Sequence, residues 1–153
     1  MKYAIVHLGT QSDLILLSAV FREIAESDLN AKFYLICREN LEAVLKLFPY
    51  QIEILIFPET WFKQWRWTRN LPHFDVLIDA QREVYPKWRR HLKRIKATKK
   101  IGYNSRKKLF DSPIGKDSQE HLIDYYLKTM PILFPNKNII RKLGTELKIT
   151  PSN

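Results

Sequence analysis

The sequence predicts an open, mostly parallel, Rossmann-like α/β sheet with helices on both faces. Two observations lead there. Short continuous apolar runs rich in β-branched and aromatic residues recur along the chain, as strands covered on both faces require, and between them lie segments whose apolar residues repeat at helical spacing. Strand, crossover helix and next parallel strand form the layered unit that buries both kinds of segment. The 153 residues are 45% hydrophobic and 12% aromatic, enough for a domain with its own core and too apolar for a disordered basic tail.

The first strand is Tyr3 to Val6. Leu14, Leu17, Val20, Phe21 and Ile24 then share one face of a helix from Leu14 to Ala25, as an amphipathic crossover requires. A second strand, Phe33 to Cys37, leads to a helix over Leu41 to Phe48 that Pro49 stops. Ile54 to Phe57 is the third strand, and tryptophan-rich Trp61 to Arg69 is a short helix or ordered loop. Val76 to Ile78 is the fourth strand, Lys87 to Lys96 a strongly basic helix, and Lys100 to Tyr103 a fifth short strand. Gln119 to Met130 is a helix ending near Pro131. Beyond it, Pro135, Asn136, Asn138, Gly144 and Pro151 break the rhythm, so residues 1–134 are expected to form one domain and 135–153 a loop and linker.

Several chemistries are excluded. There are four glycines, and the first strand-to-helix turn, His7 to Asp13, holds one of them, Gly9. It lacks the glycine fingerprint of dinucleotide-binding folds and the Gly-Lys-Ser/Thr of a P-loop. The four histidines are scattered and no Cys-x-x-Cys exists, so no metal site is predicted. Cys37, the single cysteine, ends an apolar strand and is expected to be a buried, inert thiol. The longest apolar run, Phe33 to Cys37, has five residues against about 20 for a membrane span. With no secretory signal in Met1 to Leu8 and one cysteine, the expected compartment is a cytoplasm.

In an open α/β sheet, ligands collect at the carboxyl ends of the strands, where the next helix begins. Asp13 lies at such an entry. One reading makes it an N-cap, worth about 1 kcal/mol; another makes it a general base taking a proton from a bound hydroxyl. The two are compatible.

The opening MKYAIVHLGTQSDLILLSAVFREI resembles the start of the family 9 glycosyltransferases, the bacterial heptosyltransferases of lipopolysaccharide core assembly. FDVLIDAQ, Phe74 to Gln81, is similar to the family's Tyr-Asp-x-x-Ile-Asp-x-Gln strand. KKIGYNSR, Lys99 to Arg106, and HLIDYYLKTM, His121 to Met130, resemble two further segments in the right order. The resemblance implies the N-terminal, acceptor-binding half of a two-domain GT-B enzyme, with inverting transfer in the cleft between halves and no metal. The family's catalytic aspartate falls on Asp13, with Thr10, Gln11, Ser12, Gln81 and Arg82 beside the acceptor. The chain departs from the family pattern at Ser12 and at Arg82, where glycines are usual. No cofactor is implied. A nucleotide-sugar donor such as ADP-heptose would be bound by a C-terminal donor-binding domain or complementary subunit that these 153 residues do not contain, and without it the chain is expected to be inactive.

The formal charge is +10, and it is local. Arg82 to Lys108 holds twelve Lys/Arg and one acid, Glu83; the rest of the chain sums to −1. Trp61 to Arg69 adds three tryptophans interleaved with Lys63, Arg66 and Arg69. That segment reads either as a helix with Trp61 and Trp65 on the core side or as a wall of the acceptor site, since arginine forks bind carboxylates and phosphates. The resemblance makes Lys63, Arg66, Arg69, Arg106 and Lys107 candidates for holding an anionic sugar or lipid-linked acceptor. The basic run reads as a solvated face, as a contact with an anionic membrane surface, or as a nucleic-acid contact. Membrane ranks above nucleic acid because no nucleic-acid module is recognisable. The corresponding location is the cytoplasm, peripheral on the inner membrane. A non-catalytic basic module binding membrane or single-stranded nucleic acid is the alternative function.

Overall fold

A computed structural model describes residues 1–38, 41–81, 86–102, 109–115 and 121–137. Six strands form one sheet: β1 (Lys2–Val6), β2 (Lys32–Cys37), β3 (Ile52–Ile56), β4 (Phe74–Asp79), β5 (Ala97–Gly102) and β6 (Ser112–Pro113). Their order is β3-β2-β1-β4-β5-β6, and every pairing is parallel. The helices are α1 (Gln11–Ser27), α2 (Glu42–Leu45), α3 (Trp61–Asn70), α4 (Pro86–Arg94), α5 (Leu122–Leu127) and α6 (Thr129–Leu133).

Side chains alternate across the strands, so the sheet has two cores. Tyr3 and Ile5 of β1 and Val76 and Ile78 of β4 face α1, α2, α5 and α6. Ala4, Val6 and Leu77 face α3 and α4, with Trp88, Leu92 and Ile95. On the first face Phe21 meets Phe33 edge to face at 5.2 Å and Phe48 at 5.7 Å. One ion pair is buried there: Arg22 Nε lies 3.2 Å from Glu23 Oε1, and Lys137 Nζ reaches Glu23 Oε2 at 3.3 Å.

Several boundaries differ from the sequence reading, each for a local reason. α1 begins at Gln11 because the Thr10 side chain accepts the Asp13 backbone N–H and caps it. The helix expected over Leu41 to Phe48 is one turn, Glu42–Leu45, and gives way to turns before Pro49. The C-terminal helix breaks at Lys128 rather than ending at Pro131, which is the third residue of α6, where no helical N–H partner is needed. β6 was not foreseen: two residues, one of them proline, leave no periodicity to read. Pro135 to Lys137 form a turn after α6, and Lys137 Nζ donates to Ser27 Oγ at 2.8 Å. The expected linker from residue 138 onward lies outside the described residues.

Candidate functional site

The strand order reverses between β1 and β4, so the chain leaves their carboxyl ends toward opposite faces and a crevice opens there. Its floor is the turn after β1. His7 is buried, and its Nε2 lies 2.6 Å from the Thr10 carbonyl oxygen, so the imidazole donates from Nε2. Burial lowers the His7 pKa, against smaller opposing effects of the Thr10 bond and the Asp13 charge. Thr10 is the N-cap, which corrects the N-cap reading of Asp13: that residue is the third of the helix, and its carboxylate is left for other work. A Cβ at Gly9 would stand 3.2 Å from His7 Cε1 and 3.4 Å from Asp13 Oδ2. The Asp13 carboxylate therefore lies over Gly9 at the carboxyl end of β1, half exposed, next to the His7 ring.

The β4 side of the crevice is held from within. Gln81 is buried and its Nε2 donates to the Val6 carbonyl at 3.3 Å, while Ala80 N–H donates to the same oxygen at 3.1 Å. Asp79, one residue upstream of Ala80, is buried, and desolvation pushes its pKa up to about 7, partly offset by the Gln81 backbone N–H and the nearby Trp88 indole. The Trp88 N–H approaches without good hydrogen-bond geometry, and among the described residues Asp79 Oδ1 has no partner.

On the other core's side of the sheet, α3 and α4 flank an open pocket of about 680 Å³ lined by Glu59, Trp61, Gln64, Trp65, Arg90, His91 and Arg94. Of its lining, His91 reaches into an aromatic cluster of the core, where Phe57 meets Trp67, Trp88 and His91 edge to face at 5.4, 5.0 and 5.2 Å. His91 Nδ1 lies 3.0 Å from Thr68 Oγ1, which donates its proton to the Gln64 carbonyl at 2.8 Å.

Of the residues named from sequence, Thr10, Gln11, Ser12 and Asp13 gather at the first turn, and Gln81 packs inward as a tie between β4 and β1. Lys63, Arg66 and Arg69 are exposed on α3, with the Arg69 guanidinium 4.5 Å from the Trp65 ring centre. Arg82, Arg106 and Lys107 lie outside the described residues. The expectation that Trp61 and Trp65 face the core is overturned. Trp61 is 78% exposed and Trp65 38%, because Gln64, Trp67 and Thr68 form the inward side of α3. Sequence reading missed Arg90, His91 and Arg94 as pocket residues, although Trp88, Leu92 and Ile95 already fix the inward face of α4. It also missed Asp79, which only burial distinguishes. Among the described residues no group of three His, Cys, Asp or Glu could hold a metal ion, and no helix is long and apolar enough to cross a membrane.

An all-parallel sheet of this order, flanked by helices on both faces, is a Rossmann-like α/β domain. Solved structures share this fold, among them the following three. E. coli heptosyltransferase WaaC with ADP superposes with a TM-score of 0.71 at 15% identity, covering 93% of this chain and 50% of that one. WaaC with ADP-2-deoxy-2-fluoro heptose gives 0.71 at 13%, covering 93% and 51%. The family 9 glycosyltransferase from Veillonella parvula gives 0.70 at 11%, covering 97% and 45%. The chain spans about half the length of these proteins, and at such identities the likeness is one of fold. No protein-family profile and no curated protein matches the sequence.

Proposed function

We propose that the chain is the acceptor-binding half of an inverting glycosyltransferase similar to the lipopolysaccharide heptosyltransferases, needing no metal. The observation behind this reading is the Asp13 carboxylate over Gly9 at the switch point. There it can take the proton of an acceptor hydroxyl. The freed oxygen attacks the anomeric carbon of a nucleotide-sugar, and the bond to the nucleotide's outer phosphate breaks, its electron pair leaving with the nucleotide. The donor would be held by a second half, so the chain alone is inactive. The α3–α4 pocket, with Arg90 and Arg94 at its wall and the exposed Trp61 ring for a sugar face, suits an anionic sugar acceptor.

Calorimetry with a soluble Kdo-containing oligosaccharide tests the reading. Binding weakened about tenfold by Arg94→Ala, a loss of about 1.4 kcal/mol, supports it, and absence of binding by the unaltered chain overturns it. Joined to a donor-binding half, Asp13→Asn should lower the rate by about 10² or more with acceptor affinity kept. Asp13-dependent turnover of ADP-heptose by the chain alone would refute its inactivity.

A second reading, a non-catalytic module for single-stranded nucleic acid, is favoured by exposed Trp61 and Phe62 among cations. It predicts oligonucleotide binding that falls steeply with salt and ignores Asp13→Asn.

A further inference from the structure

Three aromatic side chains of α3 stand outside both cores. Trp61 is 78% exposed, Phe62 57% and Trp65 38%, and they touch one another: Trp61 meets Phe62 edge to face at 6.0 Å, and Phe62 stacks on Trp65 at 6.4 Å. Scattered surface aromatics are ordinary, whereas a contiguous ridge marks a surface that meets something. Only Trp67 of this helix's large rings turns inward, to Phe57.

The charge around the ridge has one sign. α3 carries three Lys/Arg and α4 five, and neither helix holds an acid. Lys63, Arg66 and Arg69 on α3 and Arg90, Lys93 and Arg94 on α4 are exposed or at the pocket wall. Glu59, before α3, is the acid at the pocket.

We propose that the α3–α4 face seats the protein on an anionic bilayer, with Trp61 and Phe62 entering the headgroup layer and the six cations binding lipid phosphates. Aromatic rings beside Lys and Arg on one helical surface are the composition of an interfacial helix: rings occupy the boundary with the acyl chains while cations stay among the headgroups. A second copy of this chain fits poorly, since it would bring two faces of the same charge together. Bases of a single strand need open ring faces, yet the Trp65 ring already has Phe62 and Arg69 against it. The inference goes beyond the acceptor reading and does not require it.

The test uses the 153-residue chain and vesicles of phosphatidylcholine with or without phosphatidylglycerol. Expected are sedimentation with the phosphatidylglycerol vesicles only, a blue shift of tryptophan emission, and quenching by lipids brominated near the headgroup. The double variant Trp61→Ser/Phe62→Ser should bind at least tenfold more weakly, with circular dichroism and melting unchanged because both rings are exposed. Phe62→Ser alone, which does not line the pocket, should weaken vesicle binding and leave soluble oligosaccharide binding intact, which separates failure of this inference from failure of the acceptor reading. Three results overturn the inference: no binding to phosphatidylglycerol vesicles at low salt, equal binding by the double variant, or binding without bromine quenching. An oligonucleotide that displaces the protein from vesicles at equal phosphate concentration would overturn it too.

Discussion

Thr68 fixes the tautomer of His91. Its hydroxyl donates its one proton to the Gln64 carbonyl at 2.8 Å, so at 3.0 Å from Nδ1 it can only accept, and His91 carries its proton on Nδ1. Nε2 is left as an acceptor in a residue that lines the α3–α4 pocket. Thr68→Val strands the buried Nδ1–H and should cost about 1–2 kcal/mol in urea unfolding, with the ¹⁵N resonances of the ring moving toward those of mixed tautomers.

The two buried histidines make the fold acid-sensitive. Burial lowers the pKa of His7; burial first, then Arg94 and Arg90, lowers that of His91. Both start from 6.5, so below that value the unfolded chain binds more protons than the folded one. Their contribution is whole above pH 6.5 and is lost as pH falls through the folded pKa values. In the Asp79→Asn background, where that carboxyl no longer titrates, melting at pH 7.5 and 5 should show a lower midpoint in acid, and adding His91→Gln should shrink the difference.

Asp79 has the opposite sign. Its folded pKa is raised from 3.8 to about 7, so its neutral form suits the fold and stability falls as pH rises through about 7. A shift of that size corresponds to about 4 kcal/mol at pH 8. Asp79→Asn keeps an acceptor for the Gln81 N–H and should be the more stable protein at pH 8. Its advantage over the unaltered chain should shrink as pH falls and vanish only below the unfolded value of 3.8, as read from paired urea titrations.

Gly102 ends β5 where the Phe110 ring lies so close that an added Cβ would overlap it. Gly102→Ala forces Phe110 out of the α3–α4 core or bends β5, at about 2–3 kcal/mol. Phe110→Ala in the same chain removes the clash, so the double variant should cost less than the two single changes added together.

Glu23 is buried with Arg22, whereas Lys137 is part-exposed. Glu23→Ala leaves an arginine in the core without this carboxylate and should cost about 3 kcal/mol. Lys137→Ala removes the outer partner and should cost under about 1 kcal/mol. Equal losses in thermal unfolding would show that the outer pair, not the buried one, holds the turn after α6 to α1.

The sheet was legible because its central strands are buried on both faces and appear as unbroken apolar runs: Tyr3 to Val6 and Phe33 to Cys37 are found within a residue of their predicted ends. The first turn was legible from Gly9 and Asp13. What sequence could not resolve was rotation about helix axes with competing apolar stripes. In Trp61-Phe62-Lys63-Gln64-Trp65-Arg66-Trp67, the spacing of Trp61 and Trp65 offers one inward face and Trp67 another, and Phe57 selects the second. Nor could it mark Asp79, whose chemistry comes from a desolvation that its neighbours in the chain do not reveal.

The sheet ends differently on its two sides. At one, β6 is two residues long and Pro113 has no N–H to offer, so a further strand finds little to pair with. At the other, β3 is Ile-Glu-Ile-Leu-Ile, and among the described residues nothing pairs with its outer side. Glu53 is its one charged residue and so its one gatekeeper. Partial acid unfolding should therefore expose a template for fibril growth at Ile52–Ile56, and Ile54→Lys should delay the onset of thioflavin fluorescence at pH 4.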